Sequence, residues 1–130
     1  MQSETTTAMT VGVDVTGFSV TNVSGSHISQ ATSSTITLQP GNYRLEMSAG
    51  FDFSNANGYA QIVAYNHANH NALVSPTLKS SVYVYAQNLS TYLGQNSNAF
   101  VFYVNTATTI CFRPTALSNV DSLTYFNVFL

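Results

Sequence analysis

From position 42 to position 53 the chain alternates strictly between apolar and polar or small side chains. Tyr43, Leu45, Met47, Ala49, Phe51 and Phe53 take one parity, and Asn42, Arg44, Glu46, Ser48, Gly50 and Asp52 take the other. A strand turns successive side chains to opposite faces, so this period of two predicts a long strand with one face on a core. Pro40-Gly41, just before it, is the expected turn. Further β runs are expected near residues 9–13, 18–23, 34–38, 59–66, 72–74, 81–87, 99–104, 108–113 and 123–130. Turn-forming clusters separate them at 24–26, 55–58, 67–71, 75–76, 94–98, 105–107 and 114–121, and no stretch carries a helical period. Many short strands with turns between them predict an all-β sandwich or barrel.

Several runs are apolar on both parities. In 81–87, Val82, Val84 and Ala86 face one way and Tyr83 and Tyr85 the other. In 123–130, Phe126, Val128 and Leu130 oppose Leu123, Tyr125 and Phe129. A two-layer sandwich buries only one face of each sheet. The second apolar face is therefore expected to meet another surface, most economically a copy of the same chain.

No shift of composition divides the 130 residues, so one domain spanning 1–130 is expected, with 1–8 as an N-terminal arm. A chain of this length buries roughly two-thirds of its extended surface. Only 6% of the residues are charged, against about 25% in an average soluble domain. Hydrophobic content is 45%, so Ser, Thr, Asn and Gln stand where charges are missing, and disorder is not expected. A net charge of −2, with three Lys and Arg, offers no basic stripe for nucleic acid. Positions 1–10 show neither a basic start nor an apolar run, so no signal peptide is expected, and the sequons at Asn22 and Asn88 carry little weight without one. No run approaches the roughly 20 apolar residues of a membrane helix, so membrane insertion is not expected. The single cysteine, Cys111, excludes an internal disulfide and reads as a packed thiol rather than a nucleophile.

Candidate reactive groups are sparse. Arg44, Glu46 and Asp52 share the outward parity of the 42–53 strand. Same-face neighbours lie about 7 Å apart, so Arg44 reaches Glu46 or a carboxylate on a neighbouring chain. Glu46 and Asp52, roughly 20 Å apart along a strand, are too distant to flank one glycosidic bond. His67 and His70 fall in one turn at a spacing that could hold a metal, yet a helix is the usual platform and no third ligand is expected nearby, so they read as solvated turn residues. The segment from Asp52 to Gly58 is a poor calcium loop: the frame that places Gly58 correctly puts Phe53 at the first ligand position, and no Glu closes it. No glycine-flanked Ser suggests a nucleophile elbow. These residues lead us to expect no metal, no cofactor and no catalytic set.

Three stretches carry a family resemblance. Leu38-Gln39-Pro40-Gly41-Asn42-Tyr43-Arg44-Leu45-Glu46-Met47 resembles the strand of C1q-like and TNF-like domains in which a Pro-Gly turn precedes an aromatic and an alternating run. Ala99-Phe100-Val101-Phe102-Tyr103-Val104, followed by Thr108-Thr109-Ile110-Cys111-Phe112-Arg113, is similar to that family's late hairpin. Tyr125-Phe126-Asn127-Val128-Phe129-Leu130 is similar to its closing strand, with Asn127 where a Gly is usual. The resemblance spans residues 34–130. It implies a ten-stranded jelly-roll β-sandwich that assembles as a homotrimer, one sheet facing the three-fold axis, and a binding role rather than catalysis. Such domains occur in extracellular signalling proteins, at phage tail-fibre tips and in bacterial trimeric lectins, which bind fucosylated glycans in clefts between protomers. The resemblance thus implies a lectin acting at a cell surface, with a structural or receptor-binding module of a phage tail fibre as the alternative.

A carbohydrate site needs flat apolar faces for the sugar's C–H patches and planar polar groups for its hydroxyls. Tyr offers an apolar body with a polar tip, and Arg a fixed fork of donors. Tyr83 and Tyr85 share a parity with Gln87, Tyr59 shares one with Gln61, Val63 and Tyr65, and Arg113 one with Thr109 and Cys111. Tyr59, Gln61, Tyr83, Tyr85 and Arg113 are therefore the candidate ligand contacts, lining a protomer interface. The competing reading packs the tyrosines at the trimer axis and spends Arg113 on backbone carbonyls.

Overall fold

The alternating segment is the longest strand of the protein. The computed structural model describes residues 9–16, 27–30, 32–74, 80–86 and 92–130, and the backbone alone of 2–3. Among them run nine strands: β1 (Gln2–Ser3), β2 (Ile28–Gln30), β3 (Thr35–Leu38), β4 (Gly41–Phe53), β5 (Tyr59–Asn66), β6 (Ser81–Tyr85), β7 (Leu93–Val104), β8 (Thr108–Ser118) and β9 (Val120–Phe129). The described residues contain no α-helix. In β4 every member of the apolar parity, from Tyr43 to Phe53, is buried, while Asn42 and Arg44 stand in solvent. The Tyr43 hydroxyl donates to the carbonyl of Gln39 at 2.6 Å, tying the strand back to the Pro40-Gly41 turn that launches it.

Two antiparallel sheets face one another, ordered β1-β9-β4-β7 and β2-β3-β8-β5-β6. Leu45, Met47, Phe51, Phe126 and Val128 come from the first, and Ile36, Leu38, Ile62, Val84, Ile110 and Phe112 from the second. The rings of Phe112 and Phe126 meet edge to face across the layers at 5.3 Å between centroids. This sandwich is the all-β class that the alternation predicts.

Several boundaries differ from expectation, each for a local reason. Residues 94–98 and 114–118 are strand rather than turn, so β7 and β8 are longer than the apolar runs within them. Pro114 is tolerated because β3 pairs with β8 only as far as Cys111, and its carbonyl accepts the Gly12 N–H at 3.0 Å. The chain reverses at Asn119, whose φ of 54° suits an asparagine. Leu123, expected on the same face as Tyr125 and Phe129, is instead buried with Phe126 and Val128: a bulge at Thr124 brings Leu123 opposite Phe51. Residues 9–13 form a turn rather than a strand, with Gly12 at φ 80°, and 72–74 contributes only a single bridge from Ala72 to Tyr65. Strands β1 and β2 carry too few apolar residues to have been expected. The strand expected at 18–23, both sequons, the breakers at 24–26 and 75–76, and Gln87 lie outside the described residues.

Candidate functional site

The outer face of the five-stranded sheet gathers every residue expected to contact a ligand. Antiparallel register places Tyr59 opposite Tyr85, Gln61 opposite Tyr83 and Val63 opposite Arg113. Their side chains therefore share one face, with the tyrosines at one end and Arg113 at the other. Tyr59 lies four residues from Val63, so the two ends are roughly 13 Å apart along the strand.

The tyrosine end is an aromatic platform. The Tyr83 and Tyr85 rings stack at 6.1 Å with 12° between their planes, and Tyr59 lies 6.4 Å from Tyr85. Tyr59 and Tyr85 are 40% and 55% exposed. Gln61 is buried, and its Oε1 accepts the Thr115 hydroxyl at 2.8 Å, so Thr115 is the exposed polar residue here. Thr115 is the extra residue of a bulge, because Gln61 pairs with Ala116 while Ile62 pairs with Pro114. Periodicity within β8 alone gives no sign of this, so sequence reasoning passes over Thr115.

The other end is a polar cluster assembled from three parts of the chain. The Arg113 Nε donates to Asp14 Oδ1 at 2.5 Å, so the guanidinium is held by a carboxylate and not, as the competing reading had it, by backbone carbonyls. Asp14 reaches this point because residues 9–16 lie along β8, with Val15 N–H donating to the Phe112 carbonyl at 2.9 Å. Asp14 Oδ2 stands 3.6 Å from His67 Nδ1. The hydrogen bond to Asp14 raises the pKa of Arg113 and keeps it charged. A hollow of about 270 Å³ opens beside it, lined by Val11, Gly12, Tyr65, His70, Pro114 and Thr115.

Cys111 forms the floor of this cluster, opposite Tyr65 and fully buried. Burial, seconded by the charge of Asp14, pushes the thiol up to about 12. Burial likewise raises the Tyr65 phenol. A thiol held protonated is a poor nucleophile, so the Cys111–His67–Asp14 grouping lacks the activated sulfur of a cysteine hydrolase. His67 and His70 do have a third potential ligand nearby, contrary to the sequence-based expectation. Cys111 supplies it across 44 residues of chain, through the β5–β8 pairing that continues into the turn as His67 N–H donates to the Thr109 carbonyl at 2.8 Å.

The remaining candidates are structural. Arg44 Nη1 meets Glu46 Oε2 at 3.4 Å on the exposed face of β4, a surface pair of small energetic weight. In the segment weighed as a calcium loop, the Asn55 side chain accepts the Asn57 N–H at 2.9 Å, closing a tight turn.

The fold and this face define an antiparallel two-sheet β domain with an aromatic platform on one outer surface. No protein-family model matches the chain, and no curated protein matches it.

Proposed function

We propose that this chain is a trimeric, lectin-like jelly roll that binds cell-surface glycans without catalysis. The observation that carries the reading is the platform of Tyr59, Tyr83 and Tyr85, in which Tyr59 and Tyr85 are exposed and the half-buried Tyr83 ring lies nearly parallel to that of Tyr85. Such surfaces suit the C–H face of a sugar ring, with the Thr115 hydroxyl beside them and Arg113 one or two rings further along. The nested pairing of β1 with β9, β3 with β8, β4 with β7 and β5 with β6 supports the jelly-roll reading.

The trimer reading is supported by the outer face of the four-stranded sheet. Val101 and Tyr103 are 73% and 66% exposed there, alongside the exposed Leu93 and Phe129. A second copy would cover them. Shallow sugar contacts are individually weak, and three on one rigid body would add avidity.

A glycan array probed with the wild type and with Tyr85→Ala tests the reading. Saturable binding whose apparent affinity falls at least about tenfold in the variant, with assembly intact, is the expected result. A blank array, or binding indifferent to Tyr85, would remove the platform and leave the tail-fibre alternative standing.

A further inference from the structure

We infer that His67, His70 and Cys111 form a binding site for a borderline-soft divalent metal ion of the zinc class. One ligand atom from each of the three lies within 4.8 Å of the others. Tetrahedral zinc with two imidazoles and a thiolate brings its donors roughly 3.3–3.6 Å apart, from bonds of about 2.0–2.1 and 2.3 Å. Small rotations of two partly exposed imidazoles cover the difference, while the buried sulfur stays in place.

The local chain is built to hold these donors. Asn66 N–H donates to the Asn71 carbonyl, and His70 N–H to the Asn66 carbonyl at 2.8 Å, so the turn closes tightly between the two histidines. His70 adopts a φ of 57°, and its ring lies 5.8 Å from that of His67. Independently of the turn, His67 Nδ1 is sequestered from solvent and accepts or donates no hydrogen bond. That costs free energy unless something meets it, and Asp14 at 3.6 Å is the nearest charge. A carboxylate behind a ligating imidazole is the usual outer partner that fixes ring orientation. Arg113 anchors that carboxylate in turn.

The donor set selects the ion. One sulfur and two nitrogens favour zinc over magnesium or calcium, which prefer oxygen. Three protein ligands leave a fourth position for a water molecule, and of the three only His70 also lines the hollow beside Tyr65 and Arg113. On binding, the metal–sulfur bond replaces the Cys111 S–H bond, and the proton leaves to solvent. The site is separate from the tyrosine platform and does not depend on glycan binding.

Cobalt(II) titration of the full chain, stripped with chelator, tests this directly. The expected result is one equivalent bound per chain, with a sulfur-to-cobalt charge-transfer band and tetrahedral visible bands, both displaced by zinc. Cys111→Ser should abolish the charge-transfer band. His70→Ala, which alters an exposed side chain and leaves the fold intact, should weaken binding at least about tenfold. Absence of the bands in the wild type, or affinity unchanged in His70→Ala, would overturn the proposal. Zinc should also raise the melting temperature of the wild type and not of His70→Ala; equal shifts would overturn it as well.

Discussion

Asn96 donates its side-chain amide to the backbone carbonyl of Tyr83 at 2.8 Å, joining the edge strand of one sheet to the edge strand of the other. Two residues along, Asn98 does the same to Ser81 at 2.8 Å. At Gly94 the missing side chain lets β7 pass the carbonyl of Tyr85. These three residues are inward positions of β7, opposite Phe51, Ala49 and Met47. The open edge of β6 would otherwise present a row of free carbonyls. The corner of the sandwich is thus closed by polar groups, directly behind the strand that carries Tyr83 and Tyr85.

Removing these amides should loosen that corner by amounts that follow burial. The Asn98 bond is partly buried and the Asn96 bond is exposed. Asn98→Ala is expected to cost about 1–2 kcal/mol and Asn96→Ala less than about 1. Urea unfolding of both variants checks the order; two effects near zero would show that the edge is held by other contacts.

Gly94→Ala should be worse than either. A Cβ there would fall 2.1 Å from the Tyr85 carbonyl oxygen, a backbone atom that cannot rotate aside. The strands must part, at about 2–3 kcal/mol. Gly12→Ala has open space around it and meets only the strain of φ 80°, about 1 kcal/mol. Thermal melts of the pair separate crowding from backbone strain.

This corner also shows where the sequence stops being legible. β4 was readable in full because its inward residues are all apolar and its partners lie on both sides. Residues 94–98 read as a turn because their inward residues are Gly and Asn, whose role depends on a strand in the other sheet. Leu123 was misplaced for a similar reason, since a bulge at Thr124 breaks the parity that a single strand suggests. The five expected contact residues were legible as types and strand by strand, but only the pairing of β5 with β6 and β8 brings them to a common face. Their neighbours were not legible: Asp14 reaches Arg113, and Cys111 reaches the histidines, only through pairings between distant segments.

The two ends of the burial scale give a further check. Phe126 is fully buried against Phe112, so Phe126→Ala should cost about 3–5 kcal/mol. Tyr85→Ala, on the surface, should stay within about 0.5 kcal/mol. Denaturation midpoints with unchanged slope test both. A large loss from Tyr85→Ala would make the platform a stabilising element rather than a display surface.

Cys111 should make the metal-free protein sensitive to alkali. Its pKa rises from an ordinary 9.0 to about 12 in the folded state, chiefly through burial. Below pH 9 the thiol is protonated in both states and contributes no pH dependence. From about 9 to about 12 the unfolded thiol ionises while the folded one does not, so stability falls as pH rises. With chelator present, the midpoint of urea unfolding should drop across that window, and drop less in Cys111→Ala. A disulfide reagent at pH 8 should label the native thiol far more slowly than the unfolded one. Fast native labelling would contradict the burial on which both expectations rest.

The exposed face of the four-stranded sheet yields the last prediction. Val101 lies opposite Arg44, whose charge is already met by Glu46 at 3.4 Å, so the face presents apolar side chains beside a neutralised pair. With only 6% charged residues in the chain, there is little charge elsewhere to keep copies apart. On the trimeric reading proposed above, sedimentation at micromolar concentration should give three times the 14.0 kDa chain mass. Val101→Glu introduces a charge at a position that is solvated within the single chain, so it should leave the fold unchanged and split the assembly. Glycan avidity should fall with it, while the affinity of each Tyr59–Tyr85 platform for a monovalent sugar persists. A wild type that sediments as a monomer would sever the exposed face from assembly, and any binding would then have to rest on the platform of one chain alone.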